Sequence, residues 1–248
     1  MILEIDVGNT RLKWRVLAAD FVCLERGGST GELAFLAELY NRFPAVKRAR
    51  IACVARDSVV DELGEAISVL WGIPVWVAAT KRTHAGLQVA YKDPSRLGVD
   101  RWLAMLAAYK KAIGAVCVVD CGSAITVDWV DSAGMHQGGY IVPGIEMQKK
   151  MLLKATGQIR LEQPVKDRDL SWGCSTEEAV NFGVLRQVAS FIDGIVTELS
   201  DTGDAPTFFI AGGDAEVLLS VMTTSKKFKC CPELVMDGLE VADDLSVL

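Results

Sequence analysis

Two aspartates close apolar runs of strand length. Asp6 ends the run in "MILEIDVGNTRLKWRVL", and Asp120 ends the run in "VCVVDCGSAITVDWVD", 114 residues further on. Each is followed by glycine two positions later, Gly8 and Gly122, and then by small hydrogen-bonding residues, Asn9-Thr10 in one case and Ser123 in the other. Glycine lets a backbone approach a ligand closely. Turn N–H groups, with the Asn9, Thr10 and Ser123 side chains, offer neutral donors that suit phosphate oxygens. Asp6 and Asp120 can hold a hard cation such as Mg²⁺ directly or through water, and Lys13 adds a positive charge on the first hairpin. Phosphoryl transfer needs these parts, because its catalysis is mainly positioning and charge stabilisation. A Gly-Asn-Thr turn is also ordinary hairpin chemistry. The surroundings must decide.

The elements that would carry these aspartates occur twice. Each half reads strand, Asp-x-Gly, second strand, then a third strand, "DFVCLERGG" in the first half and "GMHQGGYIVPG" in the second. In the first half, "STGELAFLAELYNRF" follows with a capping box of Ser29 and Glu32 and apolar residues at helical spacing. A strand over 49–55, a helix over 59–71 and a strand over 74–79 complete it. The second half gives helices near 145–156 and 176–199, the strand "TFFIAGG", a helix from Asp214 and a final strand near 233–236. This matched order predicts duplication: two lobes, residues 1–115 and 116–248, each with a five-stranded mixed sheet whose first three strands are antiparallel. The two Asp-Gly hairpins would face one another across a cleft between the lobes.

Between the halves lies "YKDPSRLGVDRWLAMLAAYKKA", where Pro94 and Gly98 mark a loop before a helix through Trp102, Leu103, Leu106 and Ala107. Asp100 and Arg101 occupy its first turn, and the simplest account of Asp100 there is the helix dipole, which favours an acid.

Composition narrows the class. Half of the 248 residues are hydrophobic and 23% are charged, as in a globular protein. A net charge of −6 and a pI near 5.1 argue against a dedicated nucleic-acid or anionic-membrane binder. The seven cysteines form no C-x-x-C pair and read as reduced thiols of an intracellular protein, Cys121 being a packing residue more readily than a reactive one. The two histidines, His84 and His136, lack zinc-ligand spacing. Glu4 and Asp6 interrupt any signal-peptide core, and no run approaches the length of a membrane span.

Neither a P-loop nor a dinucleotide fingerprint is present. Near the end, "FIAGGDAEVL" sets Gly212-Gly213 between a strand and a helix, a turn against which a flat group such as adenosine can lie. Taken in order, "DVGNTRLKW", "PSRLGVDRW", "DCGSAITVD", "GGYIVPG", "STEEAV" and "AGGDA" resemble the type III pantothenate kinases, of the acetate and sugar kinase/Hsp70/actin superfamily. The resemblance spans nearly the whole chain. It implies an α/β fold of duplicated ribonuclease H-like (actin-like ATPase) lobes, and ATP-dependent phosphorylation of pantothenate to 4′-phosphopantothenate, the first step of coenzyme A biosynthesis.

Carried over residue by residue, the resemblance implies that Asp6, Val7, Gly8, Asn9, Thr10, Arg11, Leu12 and Lys13 bind the ATP phosphates and their Mg²⁺. Ser123, Gly212 and Gly213 would contact ATP from the second lobe, and Asp120 would bind a monovalent cation, K⁺ or NH₄⁺. Tyr91, Gly98, Val99, Asp100, Arg101 and Thr176 would bind pantothenate, with Asp100 the general base. A cytoplasmic homodimer without nucleic-acid or membrane partners is also implied. Two positions depart from the family pattern: Ser123 replaces the usual threonine, and Ser175 replaces an asparagine before Thr176. The alternative is a non-catalytic transcriptional accessory protein of the Bvg accessory factor type, which the presence of Asp6, Asp100 and Asp120 disfavours.

Overall fold

A computed structural model describes residues 1–30, 33–55, 57–155 and 170–243. It resolves into two compact units, Met1–Lys110 with the segment from Glu233 onward, and Lys111–Pro232.

The first unit begins with three antiparallel strands, β1 (Ile2–Val7), β2 (Leu12–Leu17) and β3 (Cys23–Ser29). Helix α1 (Ala34–Arg42) leads to β4 (Arg48–Cys53), and α2 (Asp57–Trp71) leads to β5 (Val75–Val77). The sheet order is β3-β2-β1-β4-β5, with β4 parallel to both of its neighbours. Period-two alternation along β1 sends Leu3, Ile5 and Val7 to one face, where they join Leu36, Leu39, Leu63 and Ile67 in the core. A short hairpin of β6 (Thr83–His84) and β7 (Leu87–Gln88) and a 3₁₀ turn at Pro94–Arg96 precede α3 (Val99–Lys111).

The second unit repeats the plan. Strands β8 (Val116–Cys121), β9 (Ala124–Val130) and β10 (His136–Pro143) are antiparallel. Helices α4 (Ile145–Ala155) and α5 (Thr176–Ser200) follow, then β11 (Thr207–Ala211), α6 (Ala215–Val221) and β12 (Phe228–Cys230). Its order is β10-β9-β8-β11-β12, the same as in the first sheet. By length and composition α5 could cross a membrane. Its buried residues Val184, Leu185, Val188, Ile192 and Val196 instead recur at helical spacing and pack in this unit's core with Val119, Ile125 and Ile210.

Two sequence expectations are corrected. The last element is not a strand near 233–236 but helix α7 (Leu234–Ala242), the preceding strand being β12. The compact units divide after Lys110, not after residue 115, and the segment from Glu233 rejoins the first unit. The reason lies on the second face of the first sheet. Glu4 is flanked in register by Arg15 on β2 and Arg50 on β4, and it accepts from Arg15 Nε at 2.6 Å and Arg50 Nη1 at 2.9 Å with its side chain out of water. Two buried guanidinium groups need more than one carboxylate, and the segment supplies Glu233 just before α7, Asp237 within it and Asp243 just after it. The expected capping box cannot be placed, because Glu32 lies outside the described residues; Ser29 ends β3 and Leu33 precedes α1.

Candidate active site

Asp6 and Asp120 hold equivalent positions in the two sheets. Asp6 is opposite Lys13 on the antiparallel side and Ala52 on the parallel side. Asp120 is opposite Thr126 and Ala211. In both places the parallel neighbour is alanine, a small residue. The loops differ: Gly8 N donates to Arg11 O at 3.0 Å across a loop of residues 8–11, whereas Gly122 N donates to Ala124 O at 3.0 Å across a tighter loop of 122–124.

Within the first hairpin the side chains sort by exposure. Asn9, Thr10, Arg11 and Lys13 are exposed and Asp6 is half-buried, whereas Val7 and Leu12 belong to the core. Val7 O already accepts from Val54 N at 3.1 Å. Arg11 and Lys13 bring two exposed cations to this turn, a polarity that suits a polyanion.

The second hairpin is built around close backbone approaches. Gly212 has φ +91°, and a β-carbon on it would lie 2.3 Å from Cys121 O and 2.5 Å from Asp120 Oδ1. Only glycine fits. Asp214 N donates to Cys121 O, and Gly144 N donates to Ser123 O, each at 3.0 Å. The turns after β11 and β10 thus hold the Asp120 hairpin from both sides, with Ser123 exposed and Asp120 half-buried. Burial, with Asp120 and Asp214 nearby, pushes the Cys121 thiol far above the ordinary cysteine range, so it is a packing residue.

The segment before α3 collects most of the remaining candidates. Asp100 sits in the first turn of α3, where its Oδ1 accepts from Arg101 N at 2.7 Å. The same oxygen would lie 2.6 Å from a β-carbon at position 98, so Gly98 makes the room this carboxylate occupies. Arg101, 7% exposed, donates from Nη1 to the Tyr91 hydroxyl at 3.1 Å and stacks on that ring. Arg82 braces the same loop by donating to Tyr91 O and Lys92 O, and Thr80 Oγ1 donates to Leu97 O at 2.9 Å. An open hollow of about 400 Å³ is lined by Tyr91, Lys92, Asp93 and Arg96. Val99 is buried.

Thr176 is in the second unit, exposed at the first position of α5. Ser175 Oγ accepts from Glu178 N at 3.2 Å, and Glu178 Oε2 accepts from Cys174 N at 2.7 Å. This reciprocal cap is worth about 1 kcal/mol and pins the backbone at Thr176. The structure thus brings together Asp6 with Lys13, Gly98 with Asp100, Tyr91 with Arg101, and Gly212 with Asp120. Sequence reasoning did not single out Arg82, Gly144 or Asp214. The last two stand inside "GGYIVPG" and "AGGDA", so their motifs were visible; Arg82 had no such signal.

Among the described residues no group of three or more His, Cys, Asp or Glu side chains could cage a metal. The Asp6 carboxylate at the end of β1 suits Mg²⁺, which is commonly bound by one or two carboxylates plus substrate phosphates and water.

Residues 2–198 match the family described as type III pantothenate kinase. The chain is 36% identical to the type III pantothenate kinase of Pseudomonas fluorescens (strain SBW25), covering 99% of this chain and 100% of that one. Among solved structures, a Baf family protein from Campylobacter jejuni is similar with a TM-score of 0.58 at 20% identity, covering 96% of this chain and 95% of that one. A ROK family glucokinase from Streptomyces griseus, solved with glucose and AMPPNP, gives 0.53 at 13% identity, covering 98% of each. The fold is the duplicated, actin-like ATPase fold anticipated from the sequence.

Proposed function

The chain belongs to the type III pantothenate kinase family, and from that premise we propose how its residues carry out the reaction. It transfers a phosphoryl group from ATP to pantothenate, giving 4′-phosphopantothenate in the first step of coenzyme A biosynthesis. The observation that carries the residue assignment is the Asp100 carboxylate seated over Gly98, one position from the Arg101–Tyr91 pair.

The primary hydroxyl of pantothenate is a poor nucleophile. Asp100 accepts its proton as the new O–P bond forms and the bond from the γ-phosphorus to the bridging oxygen of ADP breaks. General-base help of this kind contributes about 10²–10⁴-fold, whereas serving the helix dipole alone accounts for only about 0.3–1 kcal/mol. Arg101 orients the substrate by pairing with its carboxylate, for which a planar guanidinium is well shaped, and Tyr91 holds that guanidinium in place. Thr176 contributes a hydroxyl to the same substrate. Residues Asp6–Lys13 receive the ATP phosphates, with Ser123, Gly212 and Gly213 contacting the nucleotide.

Mg²⁺ held by ATP and Asp6 would offset the charge that develops on the phosphate oxygens. Asp120 would hold the monovalent cation with a single carboxylate charge. We place the enzyme in the cytoplasm, in keeping with its seven cysteines, and without nucleic-acid or membrane partners, in keeping with its net charge of −6. A homodimer would cover the exposed apolar side chains of Tyr140 and Ile141 on β10 and Met147 and Met151 on α4. The Bvg-type accessory reading is not favoured, since all three aspartates it could dispense with are present. The test is ADP release from the purified protein with ATP and Mg²⁺, with and without pantothenate, and the product's mass. Pantothenate-dependent release with the mass of the phosphate ester is expected. ADP release indifferent to pantothenate would contradict the reading.

A further inference from the structure

A β-carbon placed on Gly238, in the middle of α7, would lie 2.2 Å from Leu103 O and 2.5 Å from Leu103 C. The two helices therefore cross at main-chain contact, within the first unit. Leu103 lies in α3, one helical turn after Asp100. Next to this crossing, the His84 and Trp102 ring centroids are 5.8 Å apart, and His84 Nε2 donates to Val241 O of α7 at 3.0 Å. Helix α7 is also tied to the sheet. Arg15 donates to Asp237 at 2.7 Å and Glu233 at 3.1 Å, and Arg50 donates to Asp243, just past the helix, at 2.7 Å. Arg15 is two residues along β2 from Lys13, and Glu4 two residues along β1 from Asp6, so this clamp shares its strands and its sheet face with the phosphate hairpin.

We infer that α7 is a spacer that sets the position of α3 against the sheet bearing the phosphate hairpin, and that Gly238 is the positioning residue that fixes this separation. Residues 234–242 lie beyond the 2–198 that the family match covers. The inference rests on the proposed reading of α3 as the element that binds pantothenate. A methyl group at position 238 would push Leu103, and with it the first turn of α3, by about an ångström. In-line transfer is sensitive to such a displacement, which can cost about 10²-fold. The sheet is held separately by its own ladder, so nucleotide use should be spared.

The experiment measures both substrates' kinetics in full-length Gly238→Ala, His84→Ala, His84→Gln and, in parallel, Asp100→Asn, each checked for folding by thermal melting. Gly238→Ala is expected to lower kcat about 10–100-fold with the ATP KM within about twofold of the parent. His84→Ala should raise the pantothenate KM alone, and His84→Gln, whose amide can still donate to Val241 O, should restore it. If Gly238→Ala fails to fold, the His84 pair decides. Folded variants that match the parent overturn the spacer, and so does a rise in the ATP KM well beyond twofold. If Asp100→Asn is inactive while these variants match the parent, the spacer alone is wrong. If Asp100→Asn is active yet Gly238→Ala loses pantothenate turnover selectively, the spacer stands and the assignment of the base is wrong.

Discussion

Arg101 donates from Nη1 to the hydroxyl of Tyr91 at 3.1 Å, and its guanidinium carbon sits 5.9 Å from the centre of the same ring. The phenol thus orients the cation by its oxygen and its face together. Family resemblance assigned both residues to the substrate without implying that they touch. Their contact makes them one unit, with Arg82 holding the loop that presents Tyr91.

Arg101→Lys should therefore be a severe change despite keeping the charge, because an ammonium can neither fork nor stack in the same way. A hydrogen bond involving a charged group contributes about 1.5–3 kcal/mol, so the pantothenate KM should rise about 10–100-fold. Tyr91→Phe, which keeps the ring, should raise it less. Steady-state kinetics with pantothenate varied at saturating ATP will check the order. Arg101→Lys equal to the parent would remove Arg101 from the substrate site.

Gly212→Ala should impair ATP use while sparing the first unit. The left-handed φ of +91° disfavours alanine, and the new methyl would meet Cys121 O and Asp120 Oδ1 well inside contact distance. We expect the ATP KM to rise at least tenfold with little change in the pantothenate KM. Nucleotide binding measured by calorimetry at the parent's affinity would show that this turn does not serve ATP.

Asp6→Asn and Asp120→Asn should separate the two cations. An amide oxygen carries no net charge toward a divalent ion, so Asp6→Asn should demand more Mg²⁺ for half-maximal rate. Asp120→Asn should instead blunt activation by K⁺. Titrations of each variant against MgCl₂ and KCl read the two effects independently. Unchanged K⁺ dependence in Asp120→Asn would place the monovalent cation elsewhere.

The duplicated hairpins were legible because a carboxylate closing an apolar run and a following glycine are local signals, and they recur. Both sheets and most of their helices followed from period and order. The return of α7 was not legible. "ELVM" at 233–236 is too short to distinguish strand from helix by periodicity, and its partner Arg15 is 218 residues away in the chain. Glu4 read only as an interruption of an apolar run, since its meaning depends on Arg15 and Arg50 becoming its neighbours in the sheet. The candidate site divides in the same way. Asp6 and Asp120 announce themselves by position, Asp100 was singled out only through the family resemblance, and Arg82 acts through carbonyl groups that no side-chain pattern reveals.

Asp193 on α5 gives a pH-dependent stability test away from the chemistry. It accepts from Thr223 N and Oγ1 at 3.0 and 2.8 Å and from Thr224 N and Oγ1 at 3.0 and 2.6 Å, fastening the turn after α6. Burial pushes its carboxyl upward, but the hydrogen bonds from Thr224 and Thr223 outweigh that and hold it below its ordinary 3.8. A depressed acid stabilises the fold above its unfolded pKa and loses that contribution as pH falls through the folded value. Asp193→Asn should thus lower stability by about 1 kcal/mol at pH 7, the small end for a charged acceptor because the group is only partly buried and solvent screens it. The difference from the parent should shrink below about pH 4. Thermal melts at pH 7 and pH 3.5 will show whether it does; a difference that stays constant would contradict the assignment.

The central claim is that Asp100 takes the proton of the pantothenate hydroxyl. Asp100→Asn keeps the shape of the side chain and most of its capping ability but cannot accept a proton. Its single-turnover rate of 4′-phosphopantothenate formation, in a variant shown to fold and to bind ATP like the parent, is the most direct measurement. The account predicts a loss of about 10²–10⁴-fold. A rate within a few-fold of the parent would contradict it.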